Sequence, residues 1–443
     1  MIKTFRKGGI HPPENKLSAN QKIEPTPIPE KVIIPLSQHI GKPAIPVVNK
    51  GDDVKVGTLL AKADGFISGN IHSSVSGKVS KIDDAIDSSG YRRPAIFIDV
   101  EGDTWEETID TSDTIVRECN LSPSEIKDKI LSAGIVGMGG ATFPLHVKLS
   151  PPENTKAQYL LINAAECEPY LTCDHQLMLE KSEEIIVGVS ILMKALGVDK
   201  AKIGIEANKP NAIEKLSEFS KNYKGIEVLT LKVRYPQGGE KQLVEAAIGR
   251  QIPSGALPIS VGAVVVNVAT VYAAYEAVQK NKPLIERVVT VTGKHVKRPC
   301  NILSRIGIPF SQLIEQAGGL PDDTEKIIGG GPMMGKALTS MDINVTKGSS
   351  GILIIPTLEA KRNEMKNCIR CAKCVSVCCM GLTPYFLMTA TEFSDWDKAE
   401  SFHITDCVEC GSCSYICPAN RPLLDYIRLG KKNVMAAIRA RNN

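Results

Sequence analysis

Two tandem cysteine runs near the C-terminus constrain this chain more than any other feature. Cys368, Cys371, Cys374 and Cys378 follow the spacing C-x2-C-x2-C-x3-C, and Cys407, Cys410, Cys413 and Cys417 repeat it, the last followed by Pro418. Three closely spaced thiolates grip three irons of a cubane, and in the bacterial two-cluster arrangement the fourth cysteine of each run ligates the other cluster. The spacing therefore predicts two [4Fe-4S] clusters, one on Cys368, Cys371, Cys374 and Cys417, the other on Cys407, Cys410, Cys413 and Cys378. Each half then needs the other in order to fold. Paired zinc sites are the competing reading, but zinc ribbons supply pairs of cysteines, not tandem triplets with a displaced fourth. Cys379 stands where such runs usually carry proline and is a competing ligand; the spacing favours Cys378.

Nine of the thirteen cysteines fall between Cys368 and Cys417. A disulfide framework belongs to short secreted chains, and this one has 443 residues and no apolar secretory h-region in its opening MIKTFRKGGIHPPE. The four scattered cysteines, Cys119, Cys167, Cys173 and Cys300, read as buried reduced thiols. The length implies two to four domains. Lys plus Arg number 53 against 49 Asp plus Glu, so nothing favours nucleic acid as a partner. No run approaches the ~18 apolar residues of a spanning helix, which predicts a cytoplasmic chain or one held on the cytoplasmic side of a membrane by something else.

Texture divides the chain into a multidomain α/β and α+β protein. Residues 32–100 are rich in Val, Ile, Gly and Pro with short polar turns, a β-sandwich pattern, and 1–110 form the first predicted unit. It resembles a lipoyl-type barrel-sandwich hybrid, yet the hairpin tip around Gly69, Asn70, Ile71 and His72 offers no lysine for a lipoyl or biotinyl group, so the unit reads as structural. Residues 111–285 alternate helical periodicity with short apolar runs, predicting a Rossmann-like layer on a mainly parallel sheet. Ser122, Pro123 and Glu125 predict a capped helix start. Residues 286–355 form a compact α+β unit with a helix over 309–317, and a basic linker, 361–366, leads into the cysteine region of 356–443.

Several loops lie where such a sheet binds ligands, beyond the carboxyl ends of strands. Gly137, Met138, Gly139, Gly140, Ala141, Thr142, Phe143 and Pro144 form a glycine-rich loop whose backbone can approach a planar or phosphorylated ligand. Asn163, Ala164, Ala165, Glu166, Cys167, Glu168 and Pro169 follow one buried strand, Asn267 ends another, and Gly238, Gly239 and Glu240 open a helix. For each, a plain turn or helix cap is the alternative.

Residues 137–148 resemble the flavin-binding loop of the NADH-oxidising subunit of respiratory complex I, and residues 163–169 resemble that family's acidic loop. The similarity is closer to the RnfC family, the NADH-oxidising subunits of Rnf ion-translocating complexes. Its opening is resembled by Phe5, Arg6, Lys7, Gly8, Gly9, Ile10, His11, Pro12, Pro13 and Glu14, and its domain order is matched: barrel-sandwich hybrid, Rossmann-like FMN/NADH domain, SLBB β-grasp domain, α-helical ferredoxin-type 2×[4Fe-4S] domain. The resemblance implies that Gly137, Gly139, Gly140, Lys148, Asn163, Glu166 and Asn267 surround FMN, and that Phe143, Glu168 and Glu240 face NADH. Lys148 has an alternative as a solvated surface lysine. Met138 replaces an arginine of the complex I pattern and Ala165 an aspartate. The implied function is electron transfer between NAD(H), FMN and two clusters, with hydride passing to flavin N5 and no general acid or base. Implied partners are the ferredoxin-like and membrane subunits of an Rnf complex, on the cytoplasmic face of the cell membrane. A soluble flavin and iron–sulfur reductase, such as a cobalamin reductase, and a flavin-free electron wire are the alternatives. Residues 421–443 mix Arg428, Lys431, Lys432, Arg439 and Arg441 with apolar residues, a solvated helix face with membrane docking as the alternative.

Overall fold

In the computed structural model, which describes residues 2–442, the first sandwich is built from strands too short to stand alone. Lys31–Pro35, Asp53–Val54, Gly77–Ile86 and Arg92–Val100 form one antiparallel sheet, and Ile45–Pro46, Leu59–Lys62 and Ile71–His72 the other. Alternation places Val32 and Ile34 opposite Ile98 and Ile96, all four fully buried, as expected for strands with one face on a core. The hairpin tip is packed down. Lys347 Nζ donates to the carbonyls of Asn70 (2.6 Å) and Gly134 (2.7 Å), and Asn70 Nδ2 donates to Ser132 O (3.1 Å). Lys347 is fully buried, and desolvation pulls its pKa down to about 7. One side chain from the β-grasp unit thus joins the sandwich to the Rossmann-like layer, an arrangement unsuited to a swinging carrier arm.

The Rossmann-like layer opens on a capped helix. Ser122 caps the Pro123–Ser132 helix in a complete capping box with Glu125. The sheet is fully parallel, in the order Ile226–Leu231, Ala201–Glu206, Tyr159–Asn163, Ala263–Asn267. Both faces are covered, which explains the continuous apolar runs. Leu160, Ile162, Val264 and Val266 enter the large core beneath the Ser182–Leu196 and Val268–Gln279 helices, while Leu161 and Val265 enter a second core against Glu240–Ile248. Successive strands run outward from Tyr159–Asn163 in one direction, then the chain returns to lay Ala263–Asn267 on its other side. That reversal opens a crevice between these two strands at their carboxyl ends.

The β-grasp unit is a six-stranded mixed sheet carrying the Phe310–Gln316 helix. Its edge strand is Ile23–Pro25, paired in parallel with Cys300–Arg305. The N-terminal segment up to Pro25 therefore straps the other units together. Lys3 bridges to Leu231, Ile10 to Tyr235, and Gly9 N donates to Val377 O (2.8 Å) in the cysteine region. That region is helical, with short helices Lys373–Ser376 and Ser412–Tyr415 under Pro384–Glu392, Trp396–Ser401 and Leu423–Asn442. On the last helix Arg428 and Lys431 both pair with Glu409, and Arg441 pairs with Glu400, so much of its basic face is engaged within the chain. Among the described residues no helix is long and apolar enough to cross a membrane.

Candidate functional site

The crevice at the strand reversal is bordered by two asparagines in register, Asn163 and Asn267. Each closes its strand and turns its amide inward. Asn267 accepts from Ala269 N (2.9 Å) as cap of the Val268–Gln279 helix and donates through Nδ2 to Asp174 Oδ2 (2.7 Å); Asn163 Nδ2 donates to Gly238 O (2.7 Å). The glycine loop folds over this floor, held by Gly137 N on Phe143 O (2.8 Å) and Met138 N on Thr270 Oγ1 (2.8 Å). Gly139 is left-handed at φ +75°, and a Cβ there would lie 2.9 Å from Asn267 Nδ2, whereas a Cβ on Gly140 would meet nothing within 4 Å. Glycine is thus required at the first position for backbone conformation and closeness, and at the second it leaves an open wall.

Lys148 lies at the other end of the loop, on the short Leu145–Lys148 helix, and donates to Glu240 Oε1 (3.0 Å) and Val265 O (2.9 Å). The lysine expected beside FMN and the glutamate expected to face NADH therefore form one ion pair. Glu166 sits at φ +44° and accepts from Asp174 N (2.7 Å) and His175 N (3.2 Å), capping the Cys173–Glu180 helix. Glu168 turns the other way. Its carboxylate accepts from Met333 N (3.1 Å) and Met334 N (2.8 Å) of the β-grasp loop.

Sequence reasoning missed the charged groups beneath these loops. Lys16 Nζ donates to the carbonyls of Glu166, Glu168 and Leu171, and Lys209 Nζ donates to Ala165 O (2.7 Å) beside Glu206 (3.6 Å). Arg287 is buried, donates to Ser349 O (3.0 Å) and contacts Met138 Sδ. Asp174 is pushed up to about 6 by burial and by Glu166. Cys167, read as an inert thiol, accepts from Gly238 N (3.3 Å) inside the site, and burial pushes it up to about 12. Only Asp174, close behind the acidic loop and in the first turn of a helix, carried a local signal; the cations look like surface residues in sequence.

Burial pushes Glu168 up to about 7, against the two N–H donors that favour its ionised form. A fold that prefers the protonated carboxyl gains stability fully present below the ordinary carboxylate range and lost as pH rises through 7, on the order of 3 kcal/mol. Glu168→Gln is expected to match the natural chain's thermal midpoint at pH 5 and to exceed it at pH 8. A gap between the two proteins that stays constant across this range would refute the assignment.

The thiols gather in two sets. Cys378, Cys407, Cys410 and Cys413 line one cavity, with Cys379 beside them. Cys374 lies within the electrostatic reach of Cys417 and Cys368. Cys378 thus stands with the triplet of the second run, and Cys417 near Cys374 of the first, an arrangement that suits crossed ligand sets. The backbone repeats as well: Arg370 and Ala372 are left-handed at φ +54° and +57°, and their counterparts Glu409 and Gly411 at +56° and +77°. Both loops coil the same way, and the second gathers its thiols around one cavity, which fits a cubane. Cluster and crevice regions touch. Tyr235 Oη donates to Cys410 O (2.8 Å), Cys410 is among the charges felt by Glu168, and a Cβ on Gly411 would lie 3.0 Å from Met333 O.

Family models match four segments: the RnfC barrel sandwich hybrid domain over residues 3–103, the Nuo51 FMN-binding domain over 130–276, the SLBB domain over 288–337, and the 4Fe-4S dicluster domain over 360–418. The C subunit of the proton-translocating ferredoxin:NAD(+) oxidoreductase complex of Clostridium ljungdahlii is 48% identical over 440 residues, covering 99% of this chain and 95% of that protein. Its counterpart in the Na(+)-translocating ferredoxin:NAD(+) oxidoreductase complex of Acetobacterium woodii is 45% identical, covering 98% of each. The counterpart in an ion-translocating oxidoreductase complex of Rhodobacter capsulatus is 41% identical, covering 96% of this chain and 82% of that one. Among solved structures, a chain of an NAD+-reducing [NiFe]-hydrogenase aligns with TM-score 0.50 at 18% identity, covering 71% of this chain and 62% of that one; the likeness is one of fold.

Proposed function

Because this chain belongs to the RnfC family, the C subunits of ion-translocating ferredoxin:NAD(+) oxidoreductase complexes, we propose that its crevice and its two thiol sets form one electron path between NAD(H) and the partner subunits. FMN, when bound, exchanges a two-electron hydride with NAD(H) and single electrons with iron–sulfur clusters. Gly137, Gly139, Gly140, Lys148, Asn163, Glu166 and Asn267 hold the flavin, and Phe143, Glu168 and Glu240 line the nicotinamide side. The observation that carries this reading is Gly139 pressed on Asn267 at the strand reversal, with Gly140 open beside it: a backbone wall over an asparagine floor suits a flat ring.

The chain's own part is orientation and charge. Lys148 brings a cation to the crevice mouth and keeps Glu240 from repelling a phosphate. Asn163 and Asn267 fix the floor through Gly238 and Asp174. Tyr235 ties the Cys410 carbonyl to the crevice side of the molecule. The eight cysteines Cys368, Cys371, Cys374, Cys378, Cys407, Cys410, Cys413 and Cys417 hold the clusters in crossed sets. The subunit is peripheral, and we assign it to the cytoplasmic face of the membrane, where NADH is found.

Anaerobic purification tests the reading. The expected protein carries one FMN and about eight irons, and NADH bleaches both chromophores. Gly139→Ala, which forces a Cβ onto Asn267 at a left-handed position, is expected to lose flavin while keeping its iron. Iron without flavin in the natural chain would make it an electron wire, and zinc in place of iron would end the redox assignment.

A further inference from the structure

The whole chain carries a net charge of +4, and one thirteen-residue strip accounts for it. Residues 361–373 contain Lys361, Arg362, Lys366, Arg370 and Lys373 against Glu364 alone, so the other 430 residues sum to zero. Every residue of the strip is exposed, and 362–372 lie in irregular backbone. The strip is tethered where Lys366 N donates to Ala419 O (2.9 Å) and Asn420 Nδ2 to Glu364 O (3.2 Å), close behind Cys417. Arg362 pairs with Asp425 (2.5 Å), but Lys361, Lys366, Arg370 and Lys373 form no ion pair with any described residue. Within the strip lie Cys368 and Cys371, the two exposed thiols of the thirteen. Ile369 and Met365, 69% and 48% exposed, stand among the cations.

Charge balance for the iron–sulfur group does not account for these residues. The second run holds the same kind of group in the same backbone geometry, yet Val408, Glu409 and Ser412 occupy the positions of Ile369, Arg370 and Lys373. Cations appear only on the run that faces solvent. The run that faces the crevice does without them, its one charge, Glu409, being paired to Arg428 and Lys431.

We propose that residues 361–373 are the docking surface for an acidic iron–sulfur protein, which exchanges electrons with the cluster on Cys368, Cys371, Cys374 and Cys417; this rests on the electron path above. Unpaired cations around the exposed thiols steer an acidic partner toward the point where its own centre comes nearest. Ile369 and Met365 supply the apolar contact that steering alone lacks. An anionic membrane would be attracted by the same charges, but it would seal the exposed thiols in lipid and close the route to a protein partner.

The test uses the full-length holoprotein and, as probe, a reduced acidic two-[4Fe-4S] ferredoxin mixed by anaerobic stopped flow. The natural chain is expected to accept electrons with a second-order rate constant that falls about 10-fold to 100-fold between low and high salt. Lys361→Glu/Lys366→Glu, outside the cysteine run, is expected to lose a similar factor at low salt and to flatten the salt dependence; Arg370→Glu is an independent second variant. Iron content, flavin content and bleaching by NADH are read in parallel. If they are normal and both variants react at the natural rate, the docking surface is refuted while the electron path stands. If iron or flavin is missing from the natural chain, the path itself fails. Vesicles containing phosphatidylglycerol that bind the natural chain but not the variants, with unchanged ferredoxin kinetics, would reassign the strip to the membrane and overturn the proposal.

Discussion

Cys378→Ser/Cys379→Ser is expected to carry about four irons in place of about eight, and the cluster it keeps is the exposed one on Cys368, Cys371, Cys374 and Cys417. The reason is the crossing: Cys378 lines a cavity with Cys407, Cys410 and Cys413, not with the triplet that precedes it in sequence. Both residues are replaced because Cys379 lines the same cavity and is 8% exposed. Cys417→Ser is the mirror experiment and is expected to keep the cluster at the crevice side. A membrane-impermeant iron chelator separates the two outcomes. It should bleach the remaining cluster of the double variant quickly, since Cys368 and Cys371 are exposed, and that of Cys417→Ser slowly, since Cys413 is buried. Slow bleaching in the double variant and fast bleaching in Cys417→Ser would mean that each run holds its own cluster.

Lys16→Met is expected to weaken flavin retention by at least about tenfold while leaving the iron content unchanged. Lys16 donates to three carbonyls of the acidic loop, at 2.9, 2.9 and 2.7 Å, and is partly buried. The loop needs this support because Glu166 and Tyr170 both hold left-handed backbone, at φ +44° and +70°, and each such residue costs on the order of 1–3 kcal/mol. Removing the ammonium leaves three acceptors without a donor, roughly 1–3 kcal/mol apiece where no water reaches them. The loop then relaxes, and Glu166 leaves the N-terminus of the Cys173–Glu180 helix. Anaerobic titration of the deflavinated protein with FMN measures the loss; an affinity within about twofold of the natural chain would show that the loop stands without Lys16.

Legibility from sequence followed the range of the interactions. The cysteine runs were readable because ligand spacing is local, and so were Ser122 with Glu125 and the strand-closing Asn163 and Asn267, each defined by its immediate neighbours. Gly139 and Gly140 were found as glycines, though only the folded chain separates the one that must be close from the one that must be open. Lys16 could not be found, for its acceptors lie 150 or more residues away. Lys209, Arg287 and Lys347 were hidden for the same reason: a buried cation is recognisable only by the distant carbonyls and carboxylates that make its burial tolerable. Cys167 illustrates the converse, a thiol read as a small buried hydrophobe that is only partly buried and whose place against Gly238 that reading did not foresee. The N-terminal segment also carried no sign that Ile23–Pro25 completes a sheet nearly three hundred positions later.

That N-terminal strap sets an order of manufacture. Gly9 docks on Val377, and a Cβ on Gly8 would collide with the backbone of Cys378, so this segment, made long before its seat, can dock only after the first metal-ligand run has emerged. At roughly 5–20 residues per second this interval is about 20–70 s. From then until the strap docks on Val377, the thiols of that run stay open to the machinery that delivers iron and sulfide.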